Sequence, residues 1–238
     1  MNILAIESSA NVASVAIVNE KEILAEFTTN HKKTHSVTLM PIVSYMMGMV
    51  EMTMEDVDHI AVSGGPGSFT GLRIGAATAK ALAHGSGKTI IPVPTLDSLA
   101  YNAFMENMVI VPIMDARRNE VYSCIYLCEN SKLKALIPPV AESFVSLLKK
   151  VKELNRPAVF LGDGCFVHGG TITEQGFTMA KGNNMLQRAA SVGSLAIEYA
   201  KEGRAVSYDN FELMYLRKPQ AEREYDERKT INDRGSAF

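Results

Sequence analysis

Short apolar runs separated by polar turns occupy the first hundred residues of the chain. Ile3–Ile6 and Val12–Val18 have the apolar content of buried strands and are joined by the polar turn ESSAN, and Glu22–Thr28 continues the meander. A helix is predicted from about Ser36, with Pro41 in its first turn, where no intrahelical N–H bond is lost. The predicted order is strand, strand, strand, helix, strand, helix, strand, helix. The later elements are the strand and glycine turn HIAVSGGPG, a helix from Thr70 to Ala83 that Gly85 and Gly87 end, the strand TIIPVPT and the helix LDSLAYNAF.

The second half of the chain repeats this order. VIVPIMDARRNEVYSCIYL again gives strand, polar turn and strand, and an ungapped overlay places Glu7 on Asp115 and Asn11 on Asn119. PAVFLGDG resembles HIAVSGGPG, and a further helix is predicted from Ser191 to Lys201. We therefore predict an α/β fold of two duplicated βββαβαβα lobes. This arrangement resembles the architecture of the actin, Hsp70 and sugar-kinase (ASKHA) superfamily, and the resemblance implies a nucleotide-binding cleft between the lobes. Two unrelated α/β halves are the alternative.

This repeat divides the chain into three parts. Residues 1–108 are the predicted N-terminal lobe with the partner-binding helices, and the C-terminal helix 191–203 is expected to pack back near it. Residues 109–218 are the predicted C-terminal lobe. Residues 219–238 are highly charged and poor in branched apolar residues, which predicts a flexible tail.

The glycine loop GGPGSFTGLRIG, residues 64–75, resembles a phosphate cradle but fits no known one. Leu72 and Arg73 follow Gly71, where a Walker A loop has Lys and Ser or Thr, and the glycine spacing misses the dinucleotide fingerprint. A strand, a glycine turn and a helix N-terminus remain, and unpaired N–H groups there attract anions. Arg73 in the first helical turn opposes the helix dipole unless a carboxylate or phosphate lies nearby. Alternatively, the glycines only allow positive φ and close packing while Arg73 is solvated.

Composition narrows the class of protein. The net charge of −2, with no basic block, gives no electrostatic footprint for nucleic acid, so any RNA contact is expected to involve a partner. Three cysteines without a C-x-x-C pair argue against a disulfide framework and a zinc ribbon. The start MNILAIE has no basic n-region, and residues 34–50 are too short and polar to span a membrane. We expect a cytoplasmic protein without a membrane contact.

The first helix and the glycine-loop helix together predict a docking surface. Apolar residues from Leu39 to Met54 surround most of the first helix, and methionine suits surfaces that repack against different partners. The glycine-loop helix is rich in small residues, which allow a second helix to approach closely. Ordinary burial inside a monomer is the alternative. The predicted interface residues are Leu39, Ile42, Val43, Met46, Met47, Met49, Val50, Gly71, Arg73, Gly75, Ala76 and Ala79.

Six segments together are similar to the TsaB (YeaZ) family: ILAIESSANVASVAI, THSVTLMP, GGPGSFTGLRIGAATAKALA, PVPTLDSLA, PIMDARRNEVY and MYLRKPQAE. This resemblance implies a non-catalytic partner of TsaD, the enzyme that installs threonylcarbamoyl on adenosine 37 of tRNA. It also implies the TsaE ATPase as a third member, tRNA contact through the complex and a homodimer when the chain is alone. Thr95 and Leu99 occupy the places of TsaD's paired metal-binding histidines, so no metal and no catalytic residue are expected.

A vestigial nucleotide or anion site is the remaining chemical candidate, and we expect no bound cofactor beyond weak or interface nucleotide binding. Its residues are Glu7, Ser8, Ser9, Gly65, Gly67, Ser68 and Asp115. Glu7 departs from the aspartate that usually ends the first strand in the family. The alternative function is a small nucleotide-dependent phosphotransferase with Glu7, Asp97, Asp115 or Asp163 as acid or base. His31 and His35 have i, i+4 spacing but no general-base glutamate between them, which favours a helix-orienting role over a metal site.

Overall fold

The first five strands form one mixed sheet in the order β3-β2-β1-β4-β5 in a computed structural model that describes residues 1–31, 34–130 and 132–217. The first three strands are an antiparallel meander, and β4 and β5 add to β1 in parallel. The elements of this half are β1 Asn2–Glu7, β2 Ala13–Asn19, β3 Ile23–Thr29, α1 His35–Met49, β4 His59–Ser63, α2 Phe69–Ser86, β5 Thr89–Val93 and α3 Thr95–Tyr101.

The second half builds a sheet of the same connectivity, in the order β10-β9-β6-β7-β8. Glu7 is the last residue of β1 and Asp115 the last residue of β6, so the predicted equivalence of these acids is confirmed. The predicted ASKHA-type duplication is therefore confirmed, although β10 has only two residues. The elements are β6 Val109–Asp115, β7 Glu120–Glu129, β8 Lys132–Ser143, α4 Phe144–Glu153, β9 Ala158–Leu161, α5 Gly164–Glu174, β10 Thr178–Met179, a 3-10 turn Gly182–Asn184 and α6 Ala189–Lys201.

Two predictions about helix ends were wrong. Pro41 is the seventh residue of α1 rather than part of its first turn, and it lies on the exposed side of the helix, where water can hydrate the carbonyl that loses its N–H partner. The helix ends at Met49 because Glu51 takes a left-handed φ of 53°. In α2, Gly85 is helical, and only Gly87 ends the helix, with a φ of 68°.

Helices cover the two faces of the first sheet differently. α1 and α2 lie side by side on one face, and their buried residues share a core with alternate residues of β1, β2 and β4. α6 covers the opposite face, although it comes from the second half of the chain. No helix in the described ranges is long and apolar enough to cross a membrane.

The N-terminus of α6 is fastened to the first sheet by polar contacts. The N–H of Ala189 donates to Ser14 Oγ at 3.0 Å, and the N–H of Ala190 donates to Glu26 Oε1 at 3.2 Å. Arg188 forms an ion pair with the same Glu26, through both Nε and Nη2. Glu26 thus neutralises the cation and also satisfies one of the free N–H groups at the helix start.

After α6, residues 205–217, here called the C-terminal strap, return along the first half. Val206 pairs with Ile90 near the start of β5, and Phe211 is buried in the core beneath α1 and α2. The N–H of Met214 donates to the carbonyl oxygen of Gly64 at 2.7 Å. The strap therefore crosses the glycine loop.

The strap then reaches the second half of the molecule. Arg217 Nη1 donates to the carbonyl oxygen of Ala116 at 3.4 Å, and Arg217 Nη2 pairs with Glu120. Both acceptors flank the hairpin turn between β6 and β7. The predicted tail, residues 219–238, lies outside the described residues.

Candidate functional site

The glycine loop is held against the first hairpin turn at very short range. The N–H of Ser68 donates to the carbonyl oxygen of Ser9 at 2.6 Å, and Ser8 Oγ donates to the carbonyl oxygen of Gly71 at 2.9 Å. A Cβ atom on Gly71 would lie 2.1 Å from the Ser8 carbonyl oxygen, and one on Gly67 would lie 2.4 Å from that of Ser9. These glycines therefore permit a backbone-to-backbone approach, which favours the close-packing interpretation of the loop.

Gly65 has a separate role in the same loop. Its φ of 109° is open to glycine and rarely to other residues, and a Cβ there would lie 2.2 Å from the carbonyl oxygen of Met214 in the strap. Arg73 is exposed, and its guanidinium carbon lies 3.8 Å from the ring centroid of Phe69, one turn earlier on α2. A cation–π contact therefore accounts for the position of Arg73 without an anion.

Glu7 lies behind the cleft rather than in it. Its carboxylate is fully buried; Oε1 accepts from Ser9 N–H at 2.6 Å and from Ser9 Oγ at 2.5 Å, and Oε2 accepts from Ser63 Oγ. Burial raises the pKa of Glu7 above its ordinary value, and the hydroxyl and amide donors act against this shift. Both oxygens already have protein donors, so the carboxylate braces the first strand to β4.

The cleft between the two halves has a volume of about 500 Å³. Five segments line it: both hairpin turns, the glycine loop, the start of α5 and the strap. Among the residues predicted for a nucleotide or anion site, it brings together Ser9, Gly67, Ser68 and Asp115, and leaves Glu7, Ser8 and Gly65 out of its lining. Further lining residues are Ala10, Asn11, Phe69, Met114, Arg117, Tyr122, Asp163, Phe166, Val167, Met214, Tyr215 and Arg217.

Two aspartates face each other across the second half of this cleft. Asp115 accepts the N–H of Arg117 at 2.8 Å and lies 3.5 Å from its guanidinium. Asp163 caps no helical N–H with its side chain, and its buried Oδ1 has no hydrogen-bond partner among the described residues. Burial, and secondarily the charge of Asp115, raises the pKa of Asp163 to about 6.

The two helix N-termini in the cleft have few groups available to a phosphate. At α2, the N–H of Ser68 already donates to Ser9, and the N–H of Gly71 donates to Ser68 Oγ at 3.3 Å. At α5, the helix start carries the carboxylate of Asp163, which would repel a phosphate. The chain thus engages two N–H groups at the start of α2 and places a negative charge at the start of α5.

Asp97, the remaining candidate acid, is also engaged. It accepts from the hydroxyl of Tyr126 on β7 and from that of Tyr199 on α6, the latter at 2.8 Å. Asn102, on the same side of the molecule, accepts from Ser191 Oγ at 2.5 Å. These contacts join the two halves, and the sequence alone gave no signal of them.

At Thr95 and Leu99 the family resemblance implies the metal-binding histidines of TsaD. Thr95 is the first residue of α3, Leu99 lies one turn later, and both are completely buried. Within residues 1–31, 34–130 and 132–217, no group of three or more His, Cys, Asp or Glu side chains is placed to hold a metal ion. His35 begins α1, and its Nε2 donates to the carbonyl oxygen of Ala10 at 2.8 Å. It orients the helix against the first hairpin turn, and His31 takes no part in that contact.

The predicted docking surface divides into buried and exposed residues. Most of the predicted interface residues face their own core: Leu39, Ile42, Val43, Met46, Met47, Gly71, Gly75, Ala76 and Ala79 are buried, and Val50 is half-buried. Of that set, Met49 and Arg73 are exposed. The outer face of α1, of which the sequence analysis predicted only Met49 as an interface residue, consists of Ser36, Val37, Met40, Pro41, Ser44, Tyr45, Gly48 and Met49.

Comparison with known proteins identifies the family to which this chain belongs. A family model for TsaD, described as tRNA N6-adenosine threonylcarbamoyltransferase, matches residues 22–222. The tRNA threonylcarbamoyladenosine biosynthesis protein TsaB of Bacillus subtilis is 35% identical over 95% of this chain and 99% of its own length. The chain belongs to the TsaD family and, within it, to the TsaB (YeaZ) proteins. The resemblance found in the sequence motifs is thereby confirmed.

Solved structures agree with this TsaB assignment at the level of the fold. YeaZ from Pseudomonas aeruginosa covers 90% of this chain and 99% of its own, with a TM-score of 0.71 and 22% identity. The activator of 2-hydroxyisocaproyl-CoA dehydratase from Clostridium difficile, solved with bound ADPNP, gives a TM-score of 0.52 at 12% identity, over 85% of this chain and 97% of that one. Both likenesses concern the duplicated architecture alone.

Proposed function

We propose that this chain is a non-catalytic subunit of the machinery that makes threonylcarbamoyladenosine in tRNA, and that it binds and supports the catalytic TsaD protein. The process is taken from the name of a relative, the tRNA threonylcarbamoyladenosine biosynthesis protein TsaB. The uncharged outer face of α1 is the observation that carries the proposal of a binding role. Through the family resemblance, the proposal includes TsaE as a further member and tRNA as the substrate that the complex holds.

The outer face of α1 has the composition of a docking surface. Val37, Met40, Tyr45 and Met49 are between 45% and 65% exposed, and their neighbours on this face are serine, glycine and proline. α1 contains no Asp, Glu, Lys or Arg. A contiguous exposed apolar face on a helix is typical of a protein interface, and depletion of charge is typical of the centre of one.

α2 extends this surface. Its exposed positions beside α1 are occupied by small residues, Ala77 and Ala81, together with Arg73 at the end nearest the cleft. Small side chains let another helix approach closely, and arginine and tyrosine are common anchors of binding energy. Two neighbouring helices on one side of a sheet can pair with two helices of a partner as a four-helix bundle.

The same face can pair with a second copy of the chain when TsaD is absent. Antiparallel pairing of two α1 helices about a twofold axis between Ile42 and Val43 places Met40 opposite Tyr45 of the second copy. It also places Val37 opposite Gly48 of the second copy. Each exposed position of this face thus lies opposite another exposed position, as a twofold interface requires.

The non-catalytic part of the proposal rests on how the candidate acids are used. Both oxygens of Glu7 and both oxygens of Asp97 accept hydrogen bonds from buried or half-buried groups. At the helix N-termini in the cleft, Ser68 Oγ accepts the N–H of Gly71 on α2, and the carboxylate of Asp163 at the start of α5 opposes a phosphate. We therefore propose that the cleft neither hydrolyses nor transfers a phosphate, and that any nucleotide contact of the complex lies outside its interior.

The test is a reconstitution with paired variants of α1. Met40→Asp places a charge on the outer face and is expected to leave the unfolding temperature unchanged while weakening TsaD binding at least tenfold. Threonylcarbamoyl transfer to tRNA by TsaD should fall in proportion. Met46→Asp, six residues further along the same helix, places the charge in the core and should instead unfold the chain.

The matched control is Val145→Asp. Val145 is 77% exposed on α4 in the second half of the molecule, so the same type of change there should alter neither binding nor activity. If the Met40→Asp variant stimulated TsaD as fully as the wild type does, the proposal that TsaD binds the outer face of α1 would be wrong. Transferase activity of the purified chain without TsaD would contradict the non-catalytic assignment.

A further inference from the structure

The mouth of the cleft exposes a second cluster of large apolar side chains. Phe166 and Val167, at the start of α5, are 69% and 57% exposed, and both line the cleft. Across it, Met214 and Tyr215 of the strap are about 40% exposed and line it too. Single exposed apolar residues are ordinary, but four around one opening are typical of a binding surface.

One arginine side chain extends a pair of aromatic rings on the glycine-loop side of this mouth. The guanidinium of Arg73 stacks on Phe69, and the ring centroid of Phe69 lies 5.4 Å from that of Tyr215. Arg73, Phe69 and Tyr215 therefore form a continuous row of one planar cation and two aromatic rings. The Tyr215 ring is the more exposed of the two rings, so a planar ligand can stack on it.

The opposite side carries a strained basic turn. Arg117, Arg118 and Asn119 have φ values of 67°, 55° and 60°, so three consecutive residues other than glycine are left-handed. Such conformations are unfavourable for arginine and tend to persist where the side chain has a function. The Arg117 side chain is 86% exposed and projects beside the cleft.

The basic groups of this region are more exposed than its acidic groups. The Arg117 side chain is 86% exposed, whereas Asp115, its ion-pair partner at 3.5 Å, is 23% exposed. Glu120 is paired with Arg217 and is 32% exposed, and Asp163 lies at the start of α5 in the cleft lining. The exposed side chains of Arg73 and Arg117 therefore present positive charge beside the aromatic rings.

We propose that this rim, defined as Arg73, Arg117, Phe166 and Tyr215, binds unpaired nucleotides of RNA. This inference rests on the proposed function, because tRNA is the substrate of the process. Exposed rings stack on bases of any sequence, and guanidinium groups bind the phosphates between them. An RNA duplex hides its bases from such rings, so the ligand is a single-stranded loop or end. The rim contacts few phosphates, in agreement with a chain that lacks a basic block.

The experiment measures binding of the full chain to a fluorescent RNA hairpin with an unpaired loop, by anisotropy at several salt concentrations. Phe166→Ala removes the most exposed ring and is expected to weaken binding about tenfold while leaving the salt dependence unchanged. Arg117→Asn keeps a residue that tolerates the left-handed turn and is expected to reduce the slope of log K against log salt by about 0.7. A fully paired RNA of equal length should bind much more weakly.

Two surface changes in the same half serve as controls. Val145→Ala removes an exposed apolar side chain and Arg156→Asn an exposed arginine, both outside the cleft lining, and neither should change affinity or slope. Equal binding by Phe166→Ala and the wild type, absence of binding to the hairpin, or full displacement of RNA by ATP would each overturn the proposal. Met40→Asp should bind RNA normally, so a failure of the TsaD interface and a failure of the rim give different results.

Discussion

Replacement of Gly71 by alanine is the most direct test of what the glycine loop does. The added Cβ would lie 2.1 Å from the carbonyl oxygen of Ser8, more than 1 Å inside ordinary contact, and this oxygen belongs to the backbone that follows β1. The turn or the helix must shift, and such overpacking costs about 1–3 kcal/mol. Alanine also favours the helix by at most about 1 kcal/mol, so the free energy of unfolding should fall by about 1–2 kcal/mol.

Gly85→Ala is the matched control on the same helix. No heavy atom lies within 4 Å of its added Cβ, and Gly85 is exposed and helical. The only expected effect is the gain in helix propensity, which is about 0.5–1 kcal/mol. The two variants therefore make the same chemical change with opposite expected signs.

Thermal and urea unfolding measure both variants. For a chain of this size, about 1 kcal/mol moves the unfolding temperature by roughly 2–4 °C, so Gly71→Ala should melt several degrees below Gly85→Ala. If Gly71→Ala were as stable as Gly85→Ala, close packing would not explain the glycines. The loop would then be open at that point, and an anion site there would regain support.

Two further predictions concern charged groups. Glu26→Gln leaves the half-buried Arg188 without its anion and should lower the free energy of unfolding by about 2 kcal/mol. The control Glu202→Gln removes only an exposed ion pair with Arg204 and should change the free energy of unfolding by less than about 0.5 kcal/mol. Equal free energies of unfolding for the two variants in urea would contradict the anchoring role of Glu26. The folded state raises the pKa of Asp163 to about 6, which means that the folded protein binds the proton of this carboxyl more tightly than the unfolded chain does. Protonation of Asp163 therefore stabilises the fold fully below pH 4, and this stabilisation is lost as the pH rises through 6. Wild type should therefore lose about 2–3 kcal/mol relative to Asp163→Asn between pH 4 and pH 7, and parallel pH profiles of the two would refute the shift.

The order of strands and helices was readable from the sequence because apolar runs and glycine turns mark each element locally. The positions of the helix ends were harder to predict from the sequence. The apolar run from Leu39 to Met54 suggested one helix with apolar residues on all sides, but the left-handed Glu51 ends α1 and places Met52 and Met54 beyond it. A positive φ at a residue such as Glu51, which is not glycine, cannot be predicted from the pattern of apolar residues.

The assignment of surface and core also required the structure. Apolar residues on α1 were predicted as an interface, and the choice between a partner and the protein's own sheet depends on where β1 and β2 lie. Met46 faces the sheet, and Met40 faces outward. Similarly, Glu7 and Asp115 were correctly matched as equivalent strand ends, but only the fold shows that Ser9 and Ser63 hold Glu7 away from the cleft.

The coverage of the first sheet by α6 has a consequence for synthesis of the protein. All five strands of that sheet have been made once Val93 is added, but the residues that bury one of its faces come almost a hundred positions later, from Ala189 onward. During translation that face stays bare, with Ile3, Val18 and Ile91 open to water, so the N-terminal lobe cannot mature on the ribosome ahead of the rest. Folding must await nearly the whole polypeptide, and a fragment ending at residue 108 should aggregate.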